Sequence, residues 1–262
     1  MGVLELFSLK DKVALVTGGA GLYGRQIVRA VAEAGAQTFI ASRNVQALEG
    51  VAAAHRDAGL DVTGLQYDQR DEPSILALRD AILQRSDGRF DILVNNTVSR
   101  PLTNGFQSDV AQFAESMRVN ATGLFAITRA FGDAMAQRGE GSIINIGSIM
   151  GVVGPDPTNY RGTNMSAWSP DYFFHKGGMI NFTRFIGSYY GSKNVRCNCV
   201  SPGGLRTENH PEAFVRNYSE HTFLGRLANE TDLMGVIVFL ASDASRYITG
   251  ENIMVDGGYA AK

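Results

Sequence analysis

A glycine-rich loop near the start of the chain, Thr17 to Gly24, constrains the fold more than any other segment. It follows a short apolar run, Lys12 to Thr17, whose composition is typical of a strand buried on both faces. It precedes a stretch, Leu22 to Glu33, in which apolar residues recur with helical spacing. Glycines at such a strand-to-helix turn let the backbone approach a pyrophosphate, and the helix N-terminus offers free N–H groups. The loop therefore predicts a dinucleotide-binding site.

Within this loop Gly19, Gly21 and Gly24 satisfy the spacing G-x-G-x-x-G. That spacing alone is a weak signal, but the flanking strand and helix supply the context that it requires. The alternative is a glycine-rich turn without a ligand. The loop residues that we expect to contact a dinucleotide are Gly18, Gly19, Gly21, Leu22, Tyr23 and Gly24.

Strand and helix patterns alternate along the rest of the chain. The further runs expected to be strands are Gln37 to Ala41, Asp61 to Tyr67, Phe90 to Asn95, Gly141 to Gly147, Val195 to Val200 and Ile253 to Val255. The long crossovers between them suit parallel pairing. We predict a single-domain α/β fold over residues 1–262, a Rossmann-type doubly wound parallel sheet of about seven strands flanked by helices. An amphipathic stretch over 109–138 is expected to form one long helix, and residues 204–228 a loop region for the substrate.

Composition and charge exclude several classes of function. The chain has 262 residues, a net charge of -2 and a pI near 6.1, so no basic surface for nucleic acid or anionic lipid is expected. No apolar run approaches the roughly 18 residues of a membrane span. The first eleven residues lack the basic-then-apolar order of a signal peptide. We expect a soluble, cytoplasmic protein that acts on a small molecule.

The two cysteines, Cys197 and Cys199, alternate within a predicted strand, so both are expected to be small core residues on one side of it. The four histidines are scattered, and no cluster of metal-ligand side chains accompanies the cysteines. No metal site is predicted.

The end of the second strand indicates which dinucleotide fits. A free ribose 2′-hydroxyl is usually held there by Asp or Glu, whereas a 2′-phosphate needs a cation. This chain has Ser42 and Arg43, and the guanidinium suits phosphate. NADP(H) is therefore favoured, with NAD(H) as the alternative, because an arginine just after a strand is also a common solvated residue.

Tyr172 and Lys176 lie four residues apart, so a helix would place both side chains on one face. An ammonium beside a phenol favours the phenolate and lowers the tyrosine pKa from about 10. Such a tyrosine can exchange a proton with an alcohol or a ketone near neutral pH. Taken alone, the pair also fits an inward-packed aromatic beside a solvated lysine.

Taken together, these residues make the chain resemble the short-chain dehydrogenase/reductase family over essentially its whole length. The motifs that carry the resemblance, in chain order, are Thr17–Gly24, Asp68, Asn95-Asn96, Asn120, Ser148, Tyr172-x-x-x-Lys176, Pro202-Gly203, Thr207, Thr249-Gly250 and Val255-Asp256-Gly257-Gly258. Any one of them is common, but their joint order is specific.

The resemblance implies a role for each of four catalytic residues. Tyr172 would be the general base in alcohol oxidation and the general acid in ketone reduction. Lys176 would lower its pKa and bond the nicotinamide ribose, and Ser148 would hold the substrate oxygen. Asn120 would anchor a water that links Lys176 to bulk solvent.

The resemblance also implies contacts with the cofactor. Asp68 would accept a hydrogen bond from the adenine amino group, Asn95 would touch the adenosine ribose, and the backbone after Pro202 would hold the nicotinamide. The remaining residues expected to bind the cofactor are Gln69, Gly203, Leu205 and Thr207. By analogy with the family, a homo-oligomer, either a tetramer or a dimer, is expected.

The chain departs from the family pattern in three places. Leu22 stands where simple members usually have glycine, and Asn95-Asn96 continues as Thr97-Val98 instead of Ala-Gly. The third departure is a polar insertion at about 154–168, between Ser148 and Tyr172.

Because both ends of the insertion are catalytic, it is expected at the mouth of the active site, where loops often recognise substrate. The candidate substrate residues are Asn159, Tyr160, Arg161, Asn164 and Trp168. The alternative is an insertion that serves subunit packing.

These observations predict an NAD(P)-dependent oxidoreductase that interconverts a secondary alcohol and a ketone. The polar insertion and an N-terminal segment similar to gluconate-type dehydrogenases favour a sugar, polyol or sugar acid, which would be anionic if Arg161 faces the site. One alternative is a 3-oxoacyl-thioester reductase. The other is a non-catalytic protein that senses the cofactor.

Overall fold

The computed structural model describes residues 2–165 and 169–262. Seven parallel strands form one sheet in the order β3-β2-β1-β4-β5-β6-β7. The strands are β1 (Val13–Thr17), β2 (Gln37–Ser42), β3 (Val62–Gln66), β4 (Ile92–Asn95), β5 (Gly141–Ile146), β6 (Val195–Pro202) and β7 (Asn252–Val255). The strand order reverses between β1 and β4, which creates a crevice at the carboxyl ends of the strands. The predicted Rossmann-type sheet is confirmed.

Helices cover both faces of the sheet. They are α1 (Leu22–Glu33), α2 (Val45–Asp57), α3 (Glu72–Arg85), α4 (Val110–Met117), α5 (Leu124–Arg138), α6 (Pro170–Gly191), α7 (Glu212–Glu220) and α8 (Met234–Ala241). Buried residues of α1, α2 and α8 fill one apolar core, and those of α3, α5 and α6 fill the other. Asn44 caps α2, as its position predicts, by accepting a hydrogen bond from the Ala47 N–H at 3.0 Å.

The stretch expected to form one long helix is helical throughout 110–138, with one irregular turn inside it. A π-type turn over Arg118–Gly123, called the π-turn below, separates α4 from α5. Gly123 lies against the backbone of Gln69, where an added Cβ would stand 2.3 Å from the Gln69 carbonyl oxygen. Periodicity does not predict this π-turn, which coincides with a close contact between the helix and a loop distant in sequence.

A third, smaller apolar cluster lies near the C-terminal end of the chain. Phe214 and Tyr218 of α7 meet Tyr259, and Tyr160 of the insertion packs against them. The insertion is thereby joined to α7 within the same chain.

None of the helices in the two described ranges is both long enough and apolar enough to cross a membrane.

Candidate active site

A cleft of about 940 Å³ opens at the carboxyl edge of the sheet. Its walls come from the segments that follow six of the seven strands, β1 to β6. This location follows from the parallel sheet, because all of its strands end at the same edge. The resemblance to the family implies that adenosine would occupy one end of this cleft and nicotinamide the other.

The glycine loop leaves no room for side chains. Gly18 has a positive φ of 64°, and its carbonyl accepts from the Gly21 N–H at 2.9 Å. A Cβ on Gly24 would stand 2.3 Å from the Gly18 oxygen, and one on Gly19 would stand 2.9 Å from the Ile40 side chain. The backbone at the start of α1 is therefore open to a phosphate group, so these residues fit a dinucleotide. Gly18, Gly21, Leu22 and Tyr23 line the cleft.

The two adjacent asparagines after β4 face opposite ways. The Asn95 side chain is buried and donates to Asn145 Oδ1 at 2.9 Å and Thr128 Oγ1 at 3.1 Å. The expected contact of Asn95 with the adenosine ribose is therefore corrected, since its side chain is bound within the core. Asn96 lines the cleft and donates to the Thr17 and Gly18 carbonyls. Successive side chains along a strand point to opposite faces, which explains why Asn96 and not Asn95 faces the cleft.

Ser42, Arg43 and Asp68, which are expected to contact the adenosine part of the cofactor, line one end of the cleft. Arg70, which sequence reasoning missed, joins them and binds the Asp68 carboxylate through its guanidinium. These hydrogen bonds outweigh partial burial and lower the pKa of Asp68 to about 2. Asp68 is thus an ionised acceptor whose charge is balanced by Arg70.

Thr97, which stands where the family usually has alanine, is hydrogen-bonded to Tyr67. Its hydroxyl and the Gln69 amide oxygen both bond the Tyr67 hydroxyl at 2.8 Å, while the Gln69 amide donates to the Val119 carbonyl. An alanine at position 97 would lack this bond. Gln69 therefore lines the cleft, but its amide oxygen and nitrogen are both hydrogen-bonded to other protein groups.

At the opposite end, Pro202 and Gly203 line the cleft, and the Tyr23 hydroxyl donates to the Gly203 carbonyl at 2.8 Å. Leu205 and Thr207, also expected to bind the cofactor, are not among the lining residues. Leu205 forms a bridge with Ala228, and the Thr207 N–H donates to His210 Nδ1 at 3.3 Å.

Ser148, Tyr172 and Lys176 meet in the wall of the cleft. Ser148 follows β5, whereas Tyr172 and Lys176 occupy successive turns of α6. The Lys176 ammonium donates to the Ile146 carbonyl and lies 5.7 Å from the centre of the Tyr172 ring. Burial lowers the pKa of Lys176, although the neighbouring Tyr172 partly opposes this.

Arg100 is the second residue that sequence reasoning missed. Its guanidinium carbon lies 4.3 Å from the centre of the Tyr172 ring, and Arg100 lines the cleft. Burial by itself would raise the pKa of Tyr172. The Lys176 and Arg100 charges and a hydrogen bond with Ser148 outweigh burial, so the pKa lies below its ordinary 10.0. No local motif could have found Arg100, because it reaches Tyr172 only through the fold.

Asn120 lies in the π-turn and is buried. Its amide nitrogen donates to the Ser99 carbonyl at 2.7 Å and to Ser116 Oγ at 3.0 Å, and its oxygen accepts from the Ser99 N–H at 2.9 Å. Both amide hydrogens are therefore used by protein groups. The side chain connects α4 to the loop after β4, and it is not among the residues lining the cleft.

The insertion departs most from expectation. Asn159 is 0% exposed and donates to the Tyr259 hydroxyl at 2.6 Å, so its expected contact with substrate is corrected. The Tyr160 ring packs against the Phe214 ring in a tilted arrangement, with ring centres 5.5 Å apart. The described residues expected to bind substrate, Asn159, Tyr160, Arg161 and Asn164, are all missing from the cleft lining. Trp168 lies outside the described residues. The polar side chain of Asn159 thus attaches the insertion to the apolar cluster that contains Tyr259.

The fold and this cleft define a Rossmann-type oxidoreductase. A family model described as enoyl-(acyl carrier protein) reductase matches residues 21–260, and the chain belongs to the short-chain dehydrogenase/reductase family. Among its relatives is the galactitol 2-dehydrogenase (L-tagatose-forming) of Cereibacter sphaeroides, 32% identical over 266 residues and covering 99% of each chain.

Two other relatives show the breadth of the family. The 3-oxoacyl-[acyl-carrier-protein] reductase FabG of Aquifex aeolicus is 30% identical over 254 residues, covering 95% of this chain and 98% of its own. The crystal structure of a gluconate 5-dehydrogenase from Burkholderia cenocepacia in complex with NADP and tartrate matches with a TM-score of 0.89. It is 28% identical and covers 100% of both chains.

Proposed function

We propose that the protein is an NADP(H)-preferring enzyme that interconverts a secondary alcohol and a ketone on a hydroxylated carboxylic acid, such as a sugar acid. The observation that carries this proposal is the position of Arg100, whose guanidinium lies 4.3 Å from the Tyr172 ring inside the cleft. A guanidinium pairs with a carboxylate through two parallel hydrogen bonds. A substrate carboxylate close to the reacting carbinol would therefore be oriented by Arg100. Arg100 replaces Arg161 as the candidate anion-binding residue.

Each residue of the site would have a distinct part in the reaction. A bound nicotinamide ring would supply the hydride acceptor or donor. Ser148 would donate a hydrogen bond to the substrate oxygen and hold it beside Tyr172. Tyr172 would accept the hydroxyl proton in oxidation and return it in reduction. The cations beside Tyr172 favour its phenolate, so a larger fraction of Tyr172 is in the deprotonated form that can accept the hydroxyl proton.

Two relatives support a hydroxylated substrate. One is named for galactitol, and the other is a gluconate 5-dehydrogenase whose crystals contain NADP and tartrate, a hydroxylated acid. Ser42 and Arg43 at the adenosine end support NADP(H), because a hydroxyl and a guanidinium suit a 2′-phosphate.

The second candidate is a 3-oxoacyl-thioester reductase, which the FabG relative and the description of the matching family model favour. A 3-oxoacyl thioester has no carboxylate near its ketone, so Arg100 would form no ion pair with it. The two candidates therefore differ in how they use Arg100.

The test is a panel of gluconate, other sugar acids, uncharged polyols and an acetoacetyl thioester, assayed by cofactor absorbance with NADP(H) and NAD(H). We expect turnover with a hydroxy acid, and Arg100→Ala should raise its KM about tenfold to a hundredfold through the lost charge-assisted pair. Arg161→Ala removes an exposed arginine from the insertion and serves as the matched control, with little change expected. Turnover confined to the thioester, or an unchanged KM in Arg100→Ala, would contradict the proposal.

A further inference from the structure

Three polar side chains and the backbone of Ser99 form a hydrogen-bonded chain that connects the residue before Tyr172 to the residue before Arg100. Asp171 lies in the first turn of α6, Ser116 in α4, Asn120 in the π-turn and Ser99 in the loop after β4. The Ser116 hydroxyl donates to Asp171 Oδ2 at 2.5 Å, and Asn120 donates to Ser116 at 3.0 Å and to the Ser99 carbonyl at 2.7 Å. We name this chain the Asp171–Ser99 network.

The network is closed to solvent at its centre. Asp171 is 1% exposed and Ser116 is 0% exposed. The other carboxylate oxygen of Asp171 has no hydrogen-bond partner among the described residues, so Ser116 is its main polar contact. A carboxylate in the first turn of a helix is stabilised by the helix dipole, which helps to explain why a buried Asp171 is tolerated there.

The direction of the hydrogen bonds gives the network a fixed order. The Asp171 carboxylate can only accept, so it requires the Ser116 hydroxyl to point toward it. That orientation leaves a Ser116 lone pair for the Asn120 amide, whose other groups hold both the N–H and the carbonyl of Ser99. An amide passes no proton along such a chain, so the network fixes positions and does not relay protons.

We propose that the Asp171–Ser99 network positions Arg100 against Tyr172, with Asp171 and Ser116 as positioning residues for the active site. The two ends of the network are bonded neighbours of Tyr172 and Arg100, and a displacement of either end changes the 4.3 Å separation between the guanidinium and the ring. The inference rests on the proposed function in one respect: the separation matters to turnover because Tyr172 handles the proton.

The direction in which the pKa of Tyr172 shifts when Asp171 is removed distinguishes positioning of Arg100 from a direct electrostatic effect of Asp171 on the phenol. The groups that face Tyr172 are Lys176 and His175 on α6, Arg100 from the loop after β4, Ser148 after β5 and Tyr23 of the glycine loop. Removing a nearby carboxylate acts directly on the phenol by favouring the phenolate, which lowers the pKa of Tyr172. Displacement of the Arg100 guanidinium from the Tyr172 ring acts in the opposite direction and raises the pKa of Tyr172. Removal of Asp171 therefore gives opposite shifts under the two explanations.

The experiment is a pH titration of Tyr172, followed by the ultraviolet absorbance of tyrosinate. Each protein is compared with the same protein carrying Tyr172→Phe, so that the difference reports Tyr172 alone. Asp171→Leu removes the charge and the acceptor together, and Ser116→Ala removes the central hydroxyl. We expect either variant to raise the pKa of Tyr172 by about half a unit to one unit. In an Arg100→Ala background neither variant should raise the pKa of Tyr172, because the upward shift travels through Arg100.

Ser142→Ala is the matched control, since Ser142 is also buried and donates one hydrogen bond, to the Leu240 carbonyl at 2.7 Å. It should leave the titration of Tyr172 unchanged. Circular dichroism establishes which variants are folded, and if one fails to fold the other carries the test. An unchanged or lowered Tyr172 pKa in a folded variant overturns the inference. Full turnover in Tyr172→Phe would instead overturn the proposed function, and the titration is independent of that outcome.

Discussion

At the scale of single residues, Tyr172 experiences opposing influences on its charge. Burial opposes ionisation of the phenol, whereas Lys176, Arg100 and Ser148 favour it, and the net result is a pKa below 10.0. Two cations on different elements therefore act on one hydroxyl. Arg100 also lies within electrostatic reach of Tyr160 in the insertion, which places that loop near the charged end of the site. Under the proposed function, the substrate carboxylate and the proton transfer by Tyr172 would be coupled through this single guanidinium.

Cofactor preference is a second property of individual residues. We predict that Ser42→Asp combined with Arg43→Ala shifts the ratio of kcat/KM for NADP to that for NAD by at least about tenfold toward NAD. The physical reason is that a carboxylate at the end of β2 accepts from a ribose 2′-hydroxyl but repels a 2′-phosphate. The measurement is steady-state kinetics with both cofactors. Arg56→Ala, which removes an arginine from α2, is the control, and an unchanged ratio in the double variant would refute the role of Ser42 and Arg43.

At the scale of elements, sequence patterns were most informative where structure is local. The seven strands, the glycine loop and the Tyr172–Lys176 spacing depend on neighbours within a few residues, and the sheet followed from them. The side-chain direction of Asn95 can also be predicted from the sequence, because alternation along β4 assigns Asn95 and Asn96 to opposite faces. Arg100, the π-turn and the buried side of the insertion depend on contacts between distant segments. Periodicity contains no information about such contacts.

The insertion provides a prediction at this scale. Asn159→Ala removes the buried hydrogen bond to Tyr259, so we expect the free energy of unfolding to fall by about 1–3 kcal/mol. Substrate KM should change little, because Asn159 is buried away from the cleft. Chemical denaturation and steady-state kinetics measure the two effects. Asn164→Ala, at an exposed position of the same insertion, should alter neither. A raised KM with unchanged stability would restore Asn159 as a substrate residue.

Helix α6 provides a prediction about pH. His175 is buried against the Tyr172 ring, with ring centres 5.2 Å apart, and both ring nitrogens have no hydrogen-bond partner among the described residues. Burial and the Lys176 charge lower the pKa of His175 from 6.5 to about 3. Between these values the unfolded chain binds more protons than the native protein. Stability is therefore fully present above pH 6.5 and decreases as pH falls below it.

We expect this one histidine to contribute a slope of about 1.4 kcal/mol per pH unit between pH 6 and about 4.5. That window lies above the ordinary pKa of 3.8 for aspartates such as Asp68. His175→Met should remove the slope, as measured by urea denaturation across the window. His55→Gln, which changes a half-exposed histidine on α2, should leave most of it in place. An unchanged slope in His175→Met would show that His175 is protonated without cost.

At the scale of the whole molecule, α6 presents exposed aromatic side chains next to its contact with α5. The two helices lie together, with the Tyr190 hydroxyl donating to Asp133 at 2.6 Å. On α6 the rings of Phe182, Phe185 and Tyr189 stack in sequence, and Phe185 and Tyr189 are 58% and 64% exposed. Exposed aromatic side chains grouped in this way are typical of a contact between proteins.

We therefore predict that two copies of the chain associate through the exposed face of α6, because burial of these rings removes apolar surface from water. Phe185→Glu with Tyr189→Glu should convert the oligomer to a monomer, because unpaired carboxylates at the centre of an interface oppose its desolvation. Light scattering coupled to size-exclusion chromatography gives the mass of each form. Tyr247→Glu is the control, since Tyr247 is fully exposed on another part of the chain and should leave the mass unchanged. An oligomer that persists in the double variant would place the subunit contact on another surface. A monomeric native protein would contradict the prediction outright. Because α6 also contains Tyr172 and Lys176, a loss of turnover that accompanies dissociation would show that the contact stabilises the helix that holds the two proposed proton-transfer residues.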